Sequence, residues 1–174
     1  MNVKTESILI IDDEPLAREM MREVLNREGY HVFAVGSADE ALRQAENEHF
    51  DLVLADIVMP CNGGLEMVEE LREVSPDTTL LMIGSYPNIE TARAAMRVGV
   101  YDCIVNPFEH SELRAAIAKA VRRRRLIEEA LRRRRFIKEA QPRRQLIEED
   151  SLLKRLVEPI RNKRAPRTAS SSNT

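Results

Sequence analysis

For about its first 120 residues the chain alternates short apolar runs with stretches whose apolar positions recur every three or four residues. Ser7–Ile11 is a β-rich run that ends at a cluster of carboxylates. Pro15 suits a first helical turn, and Leu16, Met20, Val24 and Leu25 follow at helical spacing through Arg27. Gly29 ends that helix, and His31–Val35 reads as a second strand. The pattern predicts a helix over Asp39–Glu48, a strand over Asp51–Ala55, and a loop at Met59–Gly64 marked by Pro60, Gly63 and Gly64. It then predicts a helix over Leu65–Val74, a strand over Thr79–Ile83, a helix over Glu90–Val98 closed by Gly99, and a strand over Asp102–Val105. A last helix starts near Ser111, a suitable N-cap. Five strands alternating with five helices predict an α/β fold, a doubly wound five-stranded parallel sheet covered on both faces. The unbroken apolar runs Ile8–Ile11 and Leu52–Ala55 suit its central strands.

Further along, residues 121–150 form three copies of a ten-residue repeat, the first two agreeing at seven of ten positions. Good helix formers extend the last helix to about Ala140, ~45 Å from Ser111 at 1.5 Å per residue. Pro142 is expected to break or kink it. A second amphipathic piece carries Leu146, Leu152, Leu153, Leu156, Val157 and Ile160. The polar, Ser-rich end from Asn162 is expected to be disordered. The division is therefore a globular domain over 5–120, a basic amphipathic extension over 121–161, and a tail over 162–174. Val121, Leu126/Ile127, Ala130/Leu131 and Phe136/Ile137 make half an apolar stripe, which calls for a partner; a twin copy in a coiled-coil homodimer is the simplest.

Charge divides the chain at nearly the same place. The 174 residues carry a formal net charge of −2, but residues 1–113 hold 8 basic and 22 acidic side chains, and residues 114–174 hold 19 basic and 7 acidic. An acidic globular unit is followed by a basic arm. The longest apolar runs are four or five residues, too short for a membrane span, and the N-terminus has no apolar signal region, so a cytoplasmic protein is expected. Cys61 and Cys103 make no disulfide framework, and three scattered histidines make no zinc site.

In open parallel sheets the functional crevice lies outside the carboxyl ends of the strands. There the sequence places Asp12, Asp13 and Glu14 after the first strand, Asp56 after the third, Gly84 and Ser85 after the fourth, and Asn106 after the fifth. Converging carboxylates repel one another unless a cation sits among them. The set reads as a hard-cation site, most simply Mg²⁺, held by carboxylates, a backbone carbonyl and waters. The plainer reading is that Asp13 or Glu14 merely caps the helix starting at Pro15. A dinucleotide site is excluded by acids where a glycine-rich turn is required. A phosphatase with an aspartate nucleophile at Asp12 lacks a cap insertion.

Ile11-Asp12-Asp13-Glu14-Pro15, then Asp51-Leu52-Val53-Leu54-Ala55-Asp56-Ile57-Val58-Met59-Pro60 with Gly64 four residues on, then Asn106-Pro107-Phe108, resemble the CheY-like receiver domain of response regulators. The resemblance covers about residues 5–120. It implies the flavodoxin-like strand order 2-1-3-4-5. It implies that Asp56 accepts a phosphoryl group from a histidine kinase or phosphotransfer protein, and that Asp13, Asp56 and the Val58 carbonyl bind Mg²⁺ with Asp12 supporting through water.

Three positions depart from that family. Gly84 stands where a Thr or Ser hydroxyl would bond a phosphoryl oxygen, with Ser85 one residue late; Cys103 replaces an aromatic, and Asn106 replaces a lysine. Asn106 can donate only neutral hydrogen bonds, about half as strong as charge-assisted ones. The expectation is a signalling module rather than a turnover enzyme: a receiver with a degenerate switch, a helical arm for association, and no output domain in these residues. The alternative is an adaptor that docks a partner protein without phosphorylation through the same surface and the arm. The arginine quartets Arg122–Arg125 and Arg132–Arg135 raise nucleic-acid binding, but no aromatic stacking set accompanies them. Pairs such as Arg125 with Glu128 and Glu129 fit a solvated helix, and an acidic protein face is the better partner.

Overall fold

A computed structural model describes residues 5–59, 64–85 and 89–162, with side chains described up to residue 137 except at 64, 89, 91 and 92. The Pro60–Gly63 part of the predicted loop and the tail from residue 163 lie outside the described residues. The strands are β1 (Ser7–Ile11), β2 (His31–Val35), β3 (Leu52–Asp56), β4 (Thr79–Gly84) and β5 (Asp102–Val105). The helices are α1 (Pro15–Arg27), α2 (Ala38–Asn47), α3 (Gly64–Val74), α4 (Ile89–Arg97) and α5 (His110–Asn162). All strand pairs are parallel, and the order is β2-β1-β3-β4-β5.

Strand alternation divides the core into two layers. Ile8, Ile10, Leu52 and Leu54 pack with Met21, Val24 and Leu25 of α1 and with Leu113, Ile117, Ala120 and Val121 of α5. Leu9, Ile11, Val53 and Ala55 face the other way, with Ala41 and Ala45 of α2, Met67, Val68 and Leu71 of α3, and Ala95 of α4. Burial on both faces is why β1 and β3 need unbroken apolar sequence. Gly29 and Gly99, at φ +89° and +87°, take left-handed turns after α1 and α4 that other residues resist.

Local chemistry moves several predicted boundaries by a residue. The α2 helix starts at Ala38 because Ser37 is its N-cap, its hydroxyl accepting from the Glu40 N–H at 3.3 Å. The α5 helix starts at His110, not after a Ser111 cap; the Glu112 carboxylate accepts from the Glu109 N–H at 2.7 Å. Asp51 lies outside β3, its carboxylate accepting from the Ser7 N–H at 3.0 Å. At Pro142, where a break or kink was expected, there is no break: α5 is one helix from His110 to Asn162. A proline deletes a single backbone donor, and the turns on either side keep theirs.

Two compact units make up the chain, residues 1–126 and residues 127–174. The first unit therefore includes the Arg122–Arg125 quartet. Arg124 is nearly buried; it donates to the Asp51 and Asp77 carbonyls at 2.8 Å each, and lies 3.1 Å from the Asp51 carboxylate. Arg125 donates from Nε to Glu6 Oε1 at 2.5 Å, a contact with the body of the first unit. In the second unit the side chains of Leu131, Arg132–Arg135, Phe136 and Ile137 are exposed. Among the described residues no helix is long and apolar enough to cross a membrane.

Arg124→Ala leaves the buried Asp51 carboxylate with Ser7 but without its arginine and should lower the unfolding free energy in urea by about 2–3 kcal/mol. Arg123→Ala, at an exposed position, should cost less than about 1 kcal/mol.

Candidate functional site

Register brings the candidate residues to one end of the sheet. Ile11 pairs with Val35 and Ala55, Asp56 with Ile83, and Gly84 with Val105. The residues that follow, Asp12, Asp13, Ser85 and Asn106, therefore leave the sheet side by side with Asp56. Asp12, Asp13 and Asp56 each offer a carboxylate oxygen, and these oxygens lie within 4.8 Å of one another. Asp12 is buried, Asp56 half-buried and Asp13 exposed.

Asp12 and Asp56 are each held by a local turn. Asp12 Oδ1 accepts from the Glu14 N–H at 2.8 Å, and its backbone carbonyl accepts from Arg18 Nη1 at 2.5 Å. Glu14 occupies the N-cap position of α1 without a side-chain cap, so capping by Glu14 does not explain that acid. Asp56 Oδ1 accepts from the Val58 N–H at 2.9 Å, which fixes its rotamer. Burial raises the Asp12 pKa above the ordinary aspartate value; Asp56, Asp13 and Glu14 raise it further, against the Glu14 hydrogen bond. Three hard oxygen donors crowded at this distance, one of them reluctant to ionise beside the others, fit a small divalent cation such as Mg²⁺.

The opposite wall is different. Gly84 is buried at the end of β4, and its carbonyl accepts from the Asn106 N–H at 2.9 Å. Ser85 and Asn106 are exposed, and the Asn106–Pro107 peptide bond is cis. Cys103 is half-buried on β5 opposite Met82 and packs against the core. Burial and Asp102 push its thiol up, away from the reactive thiolate. Sequence reasoning missed Ile57. A Cβ on Gly84 would lie 2.2 Å from Ile57 Cγ2, so Ile57 occupies the space a side chain at 84 needs. A glycine inside a strand was the available signal, since it marks close approach of another group. Arg18 was missed as well, being one more charge on an amphipathic helix.

A doubly wound parallel sheet with carboxylates at the ends of its first and third strands defines the class. The family model for the response regulator receiver domain matches residues 8–118, and the chain belongs to that family. Receiver domains are signalling modules that bind Mg²⁺ in an acidic pocket and interact with histidine kinases or phosphotransfer proteins. The chain is 33% identical over 119 residues to the response regulator protein PilR of Pseudomonas aeruginosa, covering 68% of this chain and 27% of that one. It is 34% identical over 121 residues to a probable transcriptional regulator, ycf27, of Porphyridium aerugineum, covering 70% of this chain and 50% of that one. Among solved structures, a CheY-like receiver domain protein from Methanospirillum hungatei superposes with a TM-score of 0.68 at 28% identity, covering 70% of this chain and 98% of that one. NtrX from Brucella abortus superposes with a TM-score of 0.69 at 31% identity, covering 72% of this chain and 29% of that one. The chain thus spans about a quarter to a half of the length of the curated relatives it matches.

An Asp whose folded pKa is raised costs stability above that pKa, and the cost disappears as pH falls below the unfolded value of 3.8. Asp12→Asn keeps the oxygen that accepts from Glu14 and removes the charge. In metal-free buffer at pH 7 it should raise Tm measurably. That advantage should shrink toward pH 4 in a thermal melt series.

Proposed function

We propose that this chain is a response regulator receiver that takes a phosphoryl group onto Asp56 from a histidine kinase or phosphotransfer protein. The observation that carries the reading is the convergence of Asp12, Asp13 and Asp56 at the carboxyl ends of β1 and β3. Asp13, Asp56 and the Val58 carbonyl would hold Mg²⁺, with Asp12 in support. The chemistry that Mg²⁺ would supply there is screening of negative charge on the phosphoryl oxygens.

The Asp56 carboxylate supplies the nucleophile. Its oxygen forms the new bond to phosphorus while the phosphorus–nitrogen bond of the donor breaks; the electron pair of that bond goes to the ring nitrogen, and the histidine, protonated on its other nitrogen, leaves as neutral imidazole. Little other covalent work is needed, so positioning dominates. The Val58 N–H serves that end by fixing the Asp56 rotamer. Leu16 and Val58 leave exposed apolar side chains after β1 and β3, on the crevice side, where a donor protein would dock.

The response to phosphorylation is weakened. Gly84 supplies no hydroxyl, Ser85 lies one residue late, and Asn106 brings no charge to the anion. The thiol of Cys103 fills an aromatic's place. Association runs through α5, whose exposed Ile127, Leu131, Phe136 and Ile137 suit a second copy better than nucleic acid.

The test is incubation with acetyl phosphate and Mg²⁺ followed by intact-mass measurement and light scattering. Wild type should gain one phosphoryl group and Asp56→Ala none, with both at twice the chain mass of 19.9 kDa. Equal phosphorylation of the two proteins would remove Asp56 as acceptor.

A further inference from the structure

We infer that Ile57 and Gly84 are a matched pair, which closes the phosphate side of the pocket with a methyl group and uncouples the end of β4 from events at Asp56. The glycine is not there for its backbone, because its φ lies outside the left-handed region. It is there for space. A Cβ at 84 would meet Ile57 Cγ2 at 2.2 Å, a separation real carbon atoms do not adopt.

Ile57 is half-buried, and two contacts hold it where it is. Its N–H donates to the Ile83 carbonyl at 2.8 Å, and its side chain packs against the core layer containing Val53, Ala55, Met59 and Met82. Gly84 is held from the other side by the Asn106 N–H on its carbonyl. The three strand ends around the acceptor are thus tied through backbone hydrogen bonds and one apolar contact. No side chain at 84 is present to be drawn toward an anion. Two consequences follow. A hydroxyl-bearing side chain placed at 84 alone collides with Ile57 at its Cβ, so it enters only by displacing Ile57. Charge arriving at Asp56 stays a local event. The steric half stands on geometry alone, while the uncoupling half rests on Asp56 being the acceptor.

The experiment uses the full chain as wild type, Gly84→Thr, Ile57→Ala and the double variant. Overpacking should lower the Tm of Gly84→Thr by about 5 °C or more. In the Ile57→Ala background the same change should cost little or raise Tm, since threonine fills the vacated space. Failure of Gly84→Thr to fold, with recovery in the double variant, supports the pair equally. An equal cost in both backgrounds, or no cost in wild type, overturns it. Acetyl phosphate and Mg²⁺ are then added while backbone amide shifts are followed. In wild type the changes should stay within residues 12–14 and 56–58, and in the double variant they should extend into residues 93–97 of α4. Wild-type shifts that already reach α4 overturn the uncoupling. Absence of phosphoryl gain by mass defeats the acceptor reading and the uncoupling together, and leaves the Tm cycle to decide the pair.

Discussion

Like charge at close range is the constraint on which the rest of this structure depends. Three carboxylates share a space where their oxygens lie within 4.8 Å of one another. Two unit charges about 4 Å apart repel by about 4 kcal/mol at the effective dielectric of a protein surface. Such an arrangement persists only when the backbone beneath it is rigid. Here it rests on β1 and β3, adjacent and parallel, whose residues Ile8–Ile11 and Leu52–Ala55 are 0–1% exposed. Short local bonds hold two of the three acids in place: the Glu14 N–H on Asp12, the Val58 N–H on Asp56, and Arg18 on the Asp12 carbonyl.

The two ends of those strands make an instructive contrast. Acids flank both: Glu6 and Asp51 lie before β1 and β3, Asp12 and Asp56 at their far ends. At the amino ends the chain answers with its own arginines, Arg125 on Glu6 and Arg124 on Asp51. Those contacts fasten the start of the basic helix to the receiver body and are structural. At the carboxyl ends three carboxylates crowd together, and the exposed residue that follows β5 is the neutral Asn106. The same kind of charge is therefore settled permanently at one end and left open to a diffusible cation at the other.

Much of this was legible in the sequence, for physical reasons that also explain the gaps. Strands buried on both faces must be continuously apolar, so β1 and β3 announce themselves, and the crevice rule then locates Asp12, Asp13 and Asp56. Helix ends shifted by a residue where a side chain supplied an unforeseen cap, as Ser37 and Glu112 do. Ile57 was invisible because its role depends on where a methyl group points, which spacing does not encode. Arg124 and Arg125 were obscured by the repeat that contains them: an arginine quartet reads as a solvated face. Yet Leu113, Ile117, Ala120, Val121 and Arg124 share one helical face, and that face is the one against the sheet. Pro142 shows the limit of single-residue rules, since a proline's cost lowers the stability of a long helix without dictating its end.

The claim that the acidic pocket exists to hold a small divalent cation is tested most directly by calorimetric titration of Mg²⁺ into the metal-free protein, with Asp13→Asn as the control. A single site per chain in wild type, lost or weakened at least tenfold in the variant, is the predicted result. Identical heats for the two proteins would contradict it.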